Sequence, residues 1–211
     1  MRARRLPRLA VLCSGHGTNL HAILNAIRAG RLRARVALVI SDQPKAGALA
    51  RARRAGVATR VIDPTRYPSR RRSDRALIAA CEVAHVKLIC LAGFMRILSP
   101  AFVRRFRHRI LNIHPALLPA FPGAHAVRDA LAWGAKVTGV TVHVVDAQVD
   151  HGPIILQQAL QIVPGDSEST LLSRIHRVEH RLYPRAIGLV LAGRVKLAGR
   201  KATVRYSRLG A

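Results

Sequence analysis

Four stretches of the chain gather side chains able to move a proton, hold an anion or polarise a carbonyl. In Asn112-Ile113-His114-Pro115 the two-residue spacing on a strand puts an amide and an imidazole on one face, with Ile113 turned into the core. That pair is the equipment for stabilising a developing oxyanion and moving a proton; a turn Asn beside a hydrogen-bonded core His is the plainer account. Asp146–Pro153 (D-A-Q-V-D-H-G-P) carries Asp146, Asp150 and His151, and a carboxylate near an imidazole raises its pKa and orients it. Asp and Gly-Pro also favour turns, and a metal held by His143, Asp146, Asp150 and His151 has no recognised ligand spacing behind it.

The turn Ser14-Gly15-His16-Gly17-Thr18-Asn19 lies where a first strand would meet a first helix. Its glycines let backbone approach a ligand, and unpaired N–H groups at a helix start suit an anion. It lacks a full G-x-G-x-x-G and no G-K-[ST] follows, so neither a dinucleotide nor a nucleoside triphosphate is indicated. In His176-Arg177-Val178-Glu179-His180 the two histidines share a helix face, a weak zinc signal and equally an ordinary polar face. There is no G-x-S-x-G elbow for a serine hydrolase. Cys13, Cys81 and Cys90 are odd in number without C-x-x-C spacing, which argues against a disulfide framework and fits a reducing, cytoplasmic compartment.

The elements that must position these residues follow a β-α-β rhythm. Strands are expected at Leu9–Cys13, Val36–Ile40, Arg60–Ile62, Leu88–Ala92 and Ile110–Ile113, with further β segments at Val137–Val145 and Ile154–Val163. Helices are expected at about Asn19–Arg28, Ala46–Ala55, Ser69–Ala84, Ala126–Trp133 and from an Asp166-Ser167 N-cap to about Leu191. The strand runs are continuously apolar, as in a parallel sheet covered on both faces. The expected fold is therefore α/β: one doubly wound, mostly parallel sheet with helices on both faces, ligands sitting at the carboxyl ends of the strands. One domain spans 1–211, with a half at about 9–100, a half at about 101–197 and a basic tail at 198–211.

Composition sets the outer bounds. The 211 residues are half hydrophobic, which is globular rather than disordered, and hold no apolar run of the ~18 residues a membrane helix needs. The basic N-terminus precedes only a short apolar stretch, read as a strand rather than a signal peptide. Lys and Arg number 36 against 10 acids, a formal charge of +26, with only Lys45, Lys87, Lys136, Lys196 and Lys201 not Arg. The arginines are spread along the chain and aromatics are 4% of it, unlike the stripes and stacking platforms of a nucleic-acid reader. Solvated helix faces and non-specific, salt-sensitive RNA binding are the expectation, along with attraction of small anions.

Taken in order, S-G-H-G-T-N-L, A-G-F-M-R-I-L-S-P (Ala92–Pro100), L-N-I-H-P-A-L-L-P-A-F-P-G-A-H-A (Leu111–Ala126), V-D-H-G-P-I-I-L-Q (Val149–Gln157), G-D-S-E-S-T (Gly165–Thr170) and V-E-H-R-L-Y-P (Val178–Pro184) are jointly specific. The chain resembles the phosphoribosylglycinamide formyltransferases, folate-dependent enzymes of purine synthesis, from about Leu9 to Leu197. The resemblance implies formyl transfer from 10-formyltetrahydrofolate to the amine of glycinamide ribonucleotide, with no metal. It implies that Asn112, His114 and Asp150 are catalytic, the first two holding a tetrahedral oxyanion while Asp150 keeps His114 charged. Gly17, Thr18 and Asn19 would hold the ribonucleotide phosphate, so that the first half is the phosphate-binding one. His176, Arg177, Val178 and Glu179 would complete that pocket. Met95, Arg96, Ile97 and Leu98 would line the folate site with Arg70 near it, and Asp146, Ala147, Gln148, Val149 and Asp150 would close over it.

Ala116 replaces the serine usual in H-P-S-L-L-P, and His151 and His176 stand where Gly or Thr and a neutral polar residue are common. A methionyl-tRNA formyltransferase would need a further C-terminal domain, and a formyltetrahydrofolate deformylase an N-terminal one. A non-catalytic RNA-binding relative is the reading of a different class. The expected partners are the small molecules glycinamide ribonucleotide and 10-formyltetrahydrofolate, with the chain a monomer or a homodimer.

Overall fold

A computed structural model describes residues 6–205; the basic start at Arg2, Arg4 and Arg5 and the last six residues of the expected tail lie outside the described residues. The apolar runs become strands β1 (Arg8–Cys13), β2 (Arg35–Ser41), β3 (Thr59–Val61), β4 (Leu88–Leu91), β5 (Ile110–His114), β6 (Val137–Val144) and β7 (Ile154–Gln161). They form one sheet in the order β3-β2-β1-β4-β5-β6-β7. The first five are parallel, and β6 runs antiparallel to both β5 and β7, so that β7 points the same way as the first five. The chain winds outward from β1 to β3, then restarts at β4 on the other side of β1. The carboxyl ends of β1 and β4 therefore flank a topological switch point, where open α/β sheets leave a crevice.

Alternate residues of each central strand feed two separate cores. Leu9, Val11, Cys13, Leu88, Cys90, Leu111 and Ile113 face helices α1 (Thr18–Arg28), α2 (Gly47–Arg54), α5 (Ala126–Ala132) and α6 (Glu168–Leu191). Ala10, Leu12, Ile89, Leu91 and Ile110 face α3 (Arg70–Val83) and α4 (Pro100–Arg105). Cover on both faces is why these strands read as unbroken apolar runs. In β6 only Val140, Val142 and Val144 join a core, while Thr141 and His143 are buried on the opposite face. There the loop after β5 lies against them: Thr141 Oγ1 donates to the Ala116 carbonyl (2.7 Å) and accepts from the Leu118 N–H (3.1 Å).

Three elements differ from expectation. Helix α4 is only six residues, started by the Ser99 side chain accepting from the Phe102 N–H with Pro100 behind it. A 3-10 turn at Pro64–Arg66 is capped by Asp63 in the same way. Part of the expected tail is a hairpin, β8 (Val195–Ala198) paired antiparallel with β9 (Lys201–Val204) across Gly199-Arg200. The long helix α6 begins at a capping box of Ser167 and Thr170, next to the expected Asp166-Ser167 cap. It is pinned under the crevice by the Tyr183 hydroxyl, shared between the Leu91 (2.7 Å) and Leu111 (3.0 Å) carbonyls.

Candidate active site

A cavity of about 530 Å³ opens at the carboxyl ends of β1, β4 and β5, beside His143 of the antiparallel β6. One end is the turn after β1. Gly17 caps α1 at φ 75, and the helix has neither a side-chain cap nor an acid in its first turn, so its leading N–H groups face the cavity. A Cβ on Gly17 would sit 2.7 Å from Ala48, so only glycine lets α2 pack this close. Across the turn, Glu179 of α6 accepts a 2.8 Å hydrogen bond from Asn19 Nδ2. Glu179 is 4% exposed, and burial pushes its carboxyl up to about 7 against the opposing bond from Asn19. Asn19 Oδ1 is buried without a partner at the cavity wall, and His176 Nε2 lies 3.9 Å from Glu179.

The chemical end is built by β5, β6 and the loop between β6 and β7. Register pairs Asn112 with His143 and His114 with Thr141, so the polar face of β5 meets the polar face of β6. Asp150 arrives from the loop in a left-handed conformation, φ 50. Asn112 Nδ2 donates to Asp150 Oδ1 (3.2 Å) and lies 3.2 Å from His143 Nε2. The Gly123 N–H donates to Asp150 Oδ2 at 2.9 Å. His114 Nδ1 is 3.3 Å from Asp150 Oδ2, while its Nε2 is 2.8 Å from the Phe121 carbonyl. Both His114 nitrogens thus face acceptors, and both contacts are attractive only when the ring is an imidazolium.

Burial opposes that charge and pulls the His114 pKa below the ordinary imidazole value; Asp150 and the Phe121 carbonyl work the other way. Burial would raise the Asp150 carboxyl, but His143, the Gly123 N–H and the charge of His114 hold it below the usual carboxylate range. The site therefore keeps a carboxylate beside an imidazole that gives up a proton readily. His143 completes the set: its Nδ1 donates to the Val144 carbonyl (3.1 Å), which turns Nε2 toward Asn112 Nδ2 (3.2 Å) and Asp150 Oδ1 (3.5 Å).

Of the residues singled out in the sequence, Gly17, Thr18, Asn19, Met95, Arg96, Ile97, Leu98, Asn112, His114, Asp146, Ala147, Gln148, Val149, Asp150, His176 and Glu179 line this one cavity. Three do not. Val178 packs in the core, Arg177 points to solvent, and Arg70 stands outside the wall, donating to the Ile97 carbonyl at 2.8 Å. On a helix, neighbours of a site residue turn away from it, which spacing alone shows for Val178 and Arg177. His143, weighed in the sequence only as a metal ligand, is brought by strand register against Asn112 and Asp150. The signal was the alternation of Thr141 and His143 with valines in β6. His151 is paired with Asp146 rather than His143, and His180 turns toward a groove between α1 and α6, so neither suspected metal set converges. Among the described residues no group of three His, Cys, Asp or Glu is arranged to hold a metal ion.

Comparison with known proteins agrees with the geometry. The formyl transferase family model matches residues 7–187. The trifunctional purine biosynthetic protein adenosine-3 of Drosophila pseudoobscura pseudoobscura is 49% identical over 90% of this chain, which spans only 14% of that relative. The phosphoribosylglycinamide formyltransferase of Escherichia coli is 41% identical, with 95% of each chain covered. The solved structure of glycinamide ribonucleotide transformylase 1 from Symbiobacterium toebii superposes with a TM-score of 0.93 at 51% identity, covering 94% of each chain. With its doubly wound sheet, its N-I-H-P strand end and its D-x-G-P loop in one cavity, the chain belongs to the formyl transferase family, in its phosphoribosylglycinamide formyltransferase branch.

Proposed function

We propose that this chain transfers the formyl group of 10-formyltetrahydrofolate to the primary amine of glycinamide ribonucleotide, a step of purine synthesis. The observation that carries the reading is the hydrogen-bonded set Asn112, His114, Asp150 and His143 at one end of a cavity whose other end is the bare N-terminus of α1. The first end suits acyl chemistry and the second suits a phosphate. The ribonucleotide phosphate takes the α1 N–H groups, with Glu179 and His176 facing its sugar. The folate lies between Met95–Leu98 and the Asp146–Asp150 loop, where exposed Met95, Ile97 and Val149 give its rings apolar surface. No metal is required by this scheme.

In the reaction the amine nitrogen attacks the formyl carbon, a C–N bond forms and the carbonyl π pair moves to oxygen. Asn112 turns one N–H from His143 to that oxygen, and His114 meets it as an imidazolium. Asp150 balances the imidazolium and, through water, takes the proton the amine sheds. Collapse breaks the bond to folate N10, which leaves with the electron pair and takes a proton back. Both substrates are anionic, and the excess of arginine favours their approach. The three cysteines take no part: burial pushes the Cys13 and Cys81 thiols up to about 12 and Cys90 further, consistent with idle thiols in a reducing cytoplasm.

The test is an assay with glycinamide ribonucleotide and a 10-formylfolate donor. Wild type releases deformylated folate only when the amine is present, and His114→Ala and Asn112→Ala each lower kcat by about a hundredfold or more with the fold retained. Turnover without the amine would make the protein a hydrolase of the donor; full activity in His114→Ala would remove the site from the chemistry.

A further inference from the structure

The loop that delivers Asp150 is held on its far side by contacts the proposed chemistry does not use. Asp146 Oδ1 accepts the Gln148 N–H (3.0 Å) and Asp146 Oδ2 accepts from His151 Nδ1 (2.8 Å), so one carboxylate closes the loop on itself. The other ring nitrogen of His151, Nε2, meets Arg200 Nη1 at the turn of the β8–β9 hairpin. Arginine only donates, and a neutral imidazole has one donor and one acceptor. The tautomer follows: Nδ1–H points to Asp146 and the Nε2 lone pair to Arg200.

Between Asp146 and Asp150, whose side chain is held by Asn112 and the Gly123 N–H, the loop has little to hold it. Ala147, Gln148 and Val149 are exposed, and Asp150 keeps a φ of 50, a conformation that surroundings must impose on a non-glycine residue. Just beyond His151, a Cβ on Gly152 would lie 1.8 Å from the Val144 carbonyl oxygen, so the chain is pinned there by backbone against backbone. The span free to vary is the one that Asp146, His151 and Arg200 brace.

We propose that Arg200, acting through His151 and Asp146, is a positioning residue: it clamps the 146–151 loop to the hairpin in the shape that aims Asp150 at Asn112 and His114. The consequence for donor binding rests on the formyl-transfer reading; the brace itself does not. A loop already in its bound shape spares the folate the cost of ordering it, so the brace acts on KM for the donor more than on kcat.

The experiment compares wild type with Arg200→Met, His151→Leu and His151→Gln by amide hydrogen exchange and steady-state kinetics. Loss of one hydrogen bond predicts about three- to tenfold faster exchange in the 146–151 loop of Arg200→Met, and at least as much in His151→Leu, which also loses the bond to Asp146, with the sheet unaffected. KM for the formylfolate donor rises by a similar factor, while kcat and KM for the ribonucleotide hold. His151→Gln keeps one donor and one acceptor and restores both readouts, and the double variant Arg200→Met with His151→Leu is no worse than His151→Leu alone. Unchanged loop exchange in Arg200→Met, a His151→Gln that behaves like His151→Leu, or faster exchange throughout the sheet would each overturn the proposal. A faster loop in a protein that transfers no formyl group would uphold the brace and remove the substrate assignment alone.

Discussion

Glu179 shows how burial turns an ordinary side chain into a sensitive one. Packed between α6 and the first turn of α1, its carboxyl is pushed up to about 7 from 4.5. Between those two values the folded state binds a proton that the unfolded chain has lost, so stability falls as pH rises through the window. The full penalty, about 3 kcal/mol, is present above pH 7 and absent below pH 4.5. Glu179→Gln keeps the acceptor for Asn19 and removes the charge. It should therefore raise the thermal midpoint over wild type at pH 8 and leave the two equal at pH 4, while weakening ribonucleotide binding. Equal midpoints at both pH values would show that the carboxylate is solvated rather than buried. Glu179 and Asn19 stood out as polar types in the sequence, but their 160-residue separation hid the bond between them.

At the scale of elements, the turn between β1 and α1 does its work through one glycine. Gly17 combines a left-handed φ with a Cβ position already occupied by Ala48 of α2. Gly17→Ala must both strain the backbone and push α2 away, a loss of about 2–4 kcal/mol. Chemical denaturation should show that loss, and KM for the ribonucleotide should rise more than KM for the donor. Gly15→Ala, with nothing within 4 Å of its Cβ, is the control and should fold as wild type does. The alternation of apolar and polar residues made α1, α3 and α6 legible, because each carries several turns of one-sided pattern. Helix α4 holds only six residues, too few for a period to repeat, and its Ser-Pro start was the sole trace of it. The β8–β9 hairpin alternates half-buried and exposed positions, but over only four residues a strand, too few for the pattern to stand out.

For the whole molecule, the charge of +26 is an electrostatic fact separate from the cavity. On α6, Arg177, Arg181 and Arg185 recur at four-residue spacing and are all exposed, so part of the arginine that looked scattered in sequence forms a row in space. RNA affinity should fall by about a thousandfold between about 50 and 200 mM salt, by release of counterions. Filter binding across that range checks it, and His114→Ala should bind as wild type does, since the row lies apart from the chemical end of the cavity. A shallow salt dependence would mean that the arginines are not presented to a polyanion together.

The sequence by itself determined the sheet, the order of its elements and most of the cavity wall. Apolar periodicity dictates which face of each element is buried, and in N-I-H-P the two-residue spacing on a strand puts the amide and the imidazole on one face. Tertiary structure decided what depends on two distant segments meeting. Strand register set His143 beside Asn112, the loop geometry set Asp150 against His114, and burial, which no local pattern measures, set the acidity of Glu179. It also joined His151 to Arg200 at the turn of a hairpin of two four-residue strands. Local pattern records what a residue contributes to its own element; proton affinity and hydrogen-bond partners are set by whatever the other elements bring within a few ångströms.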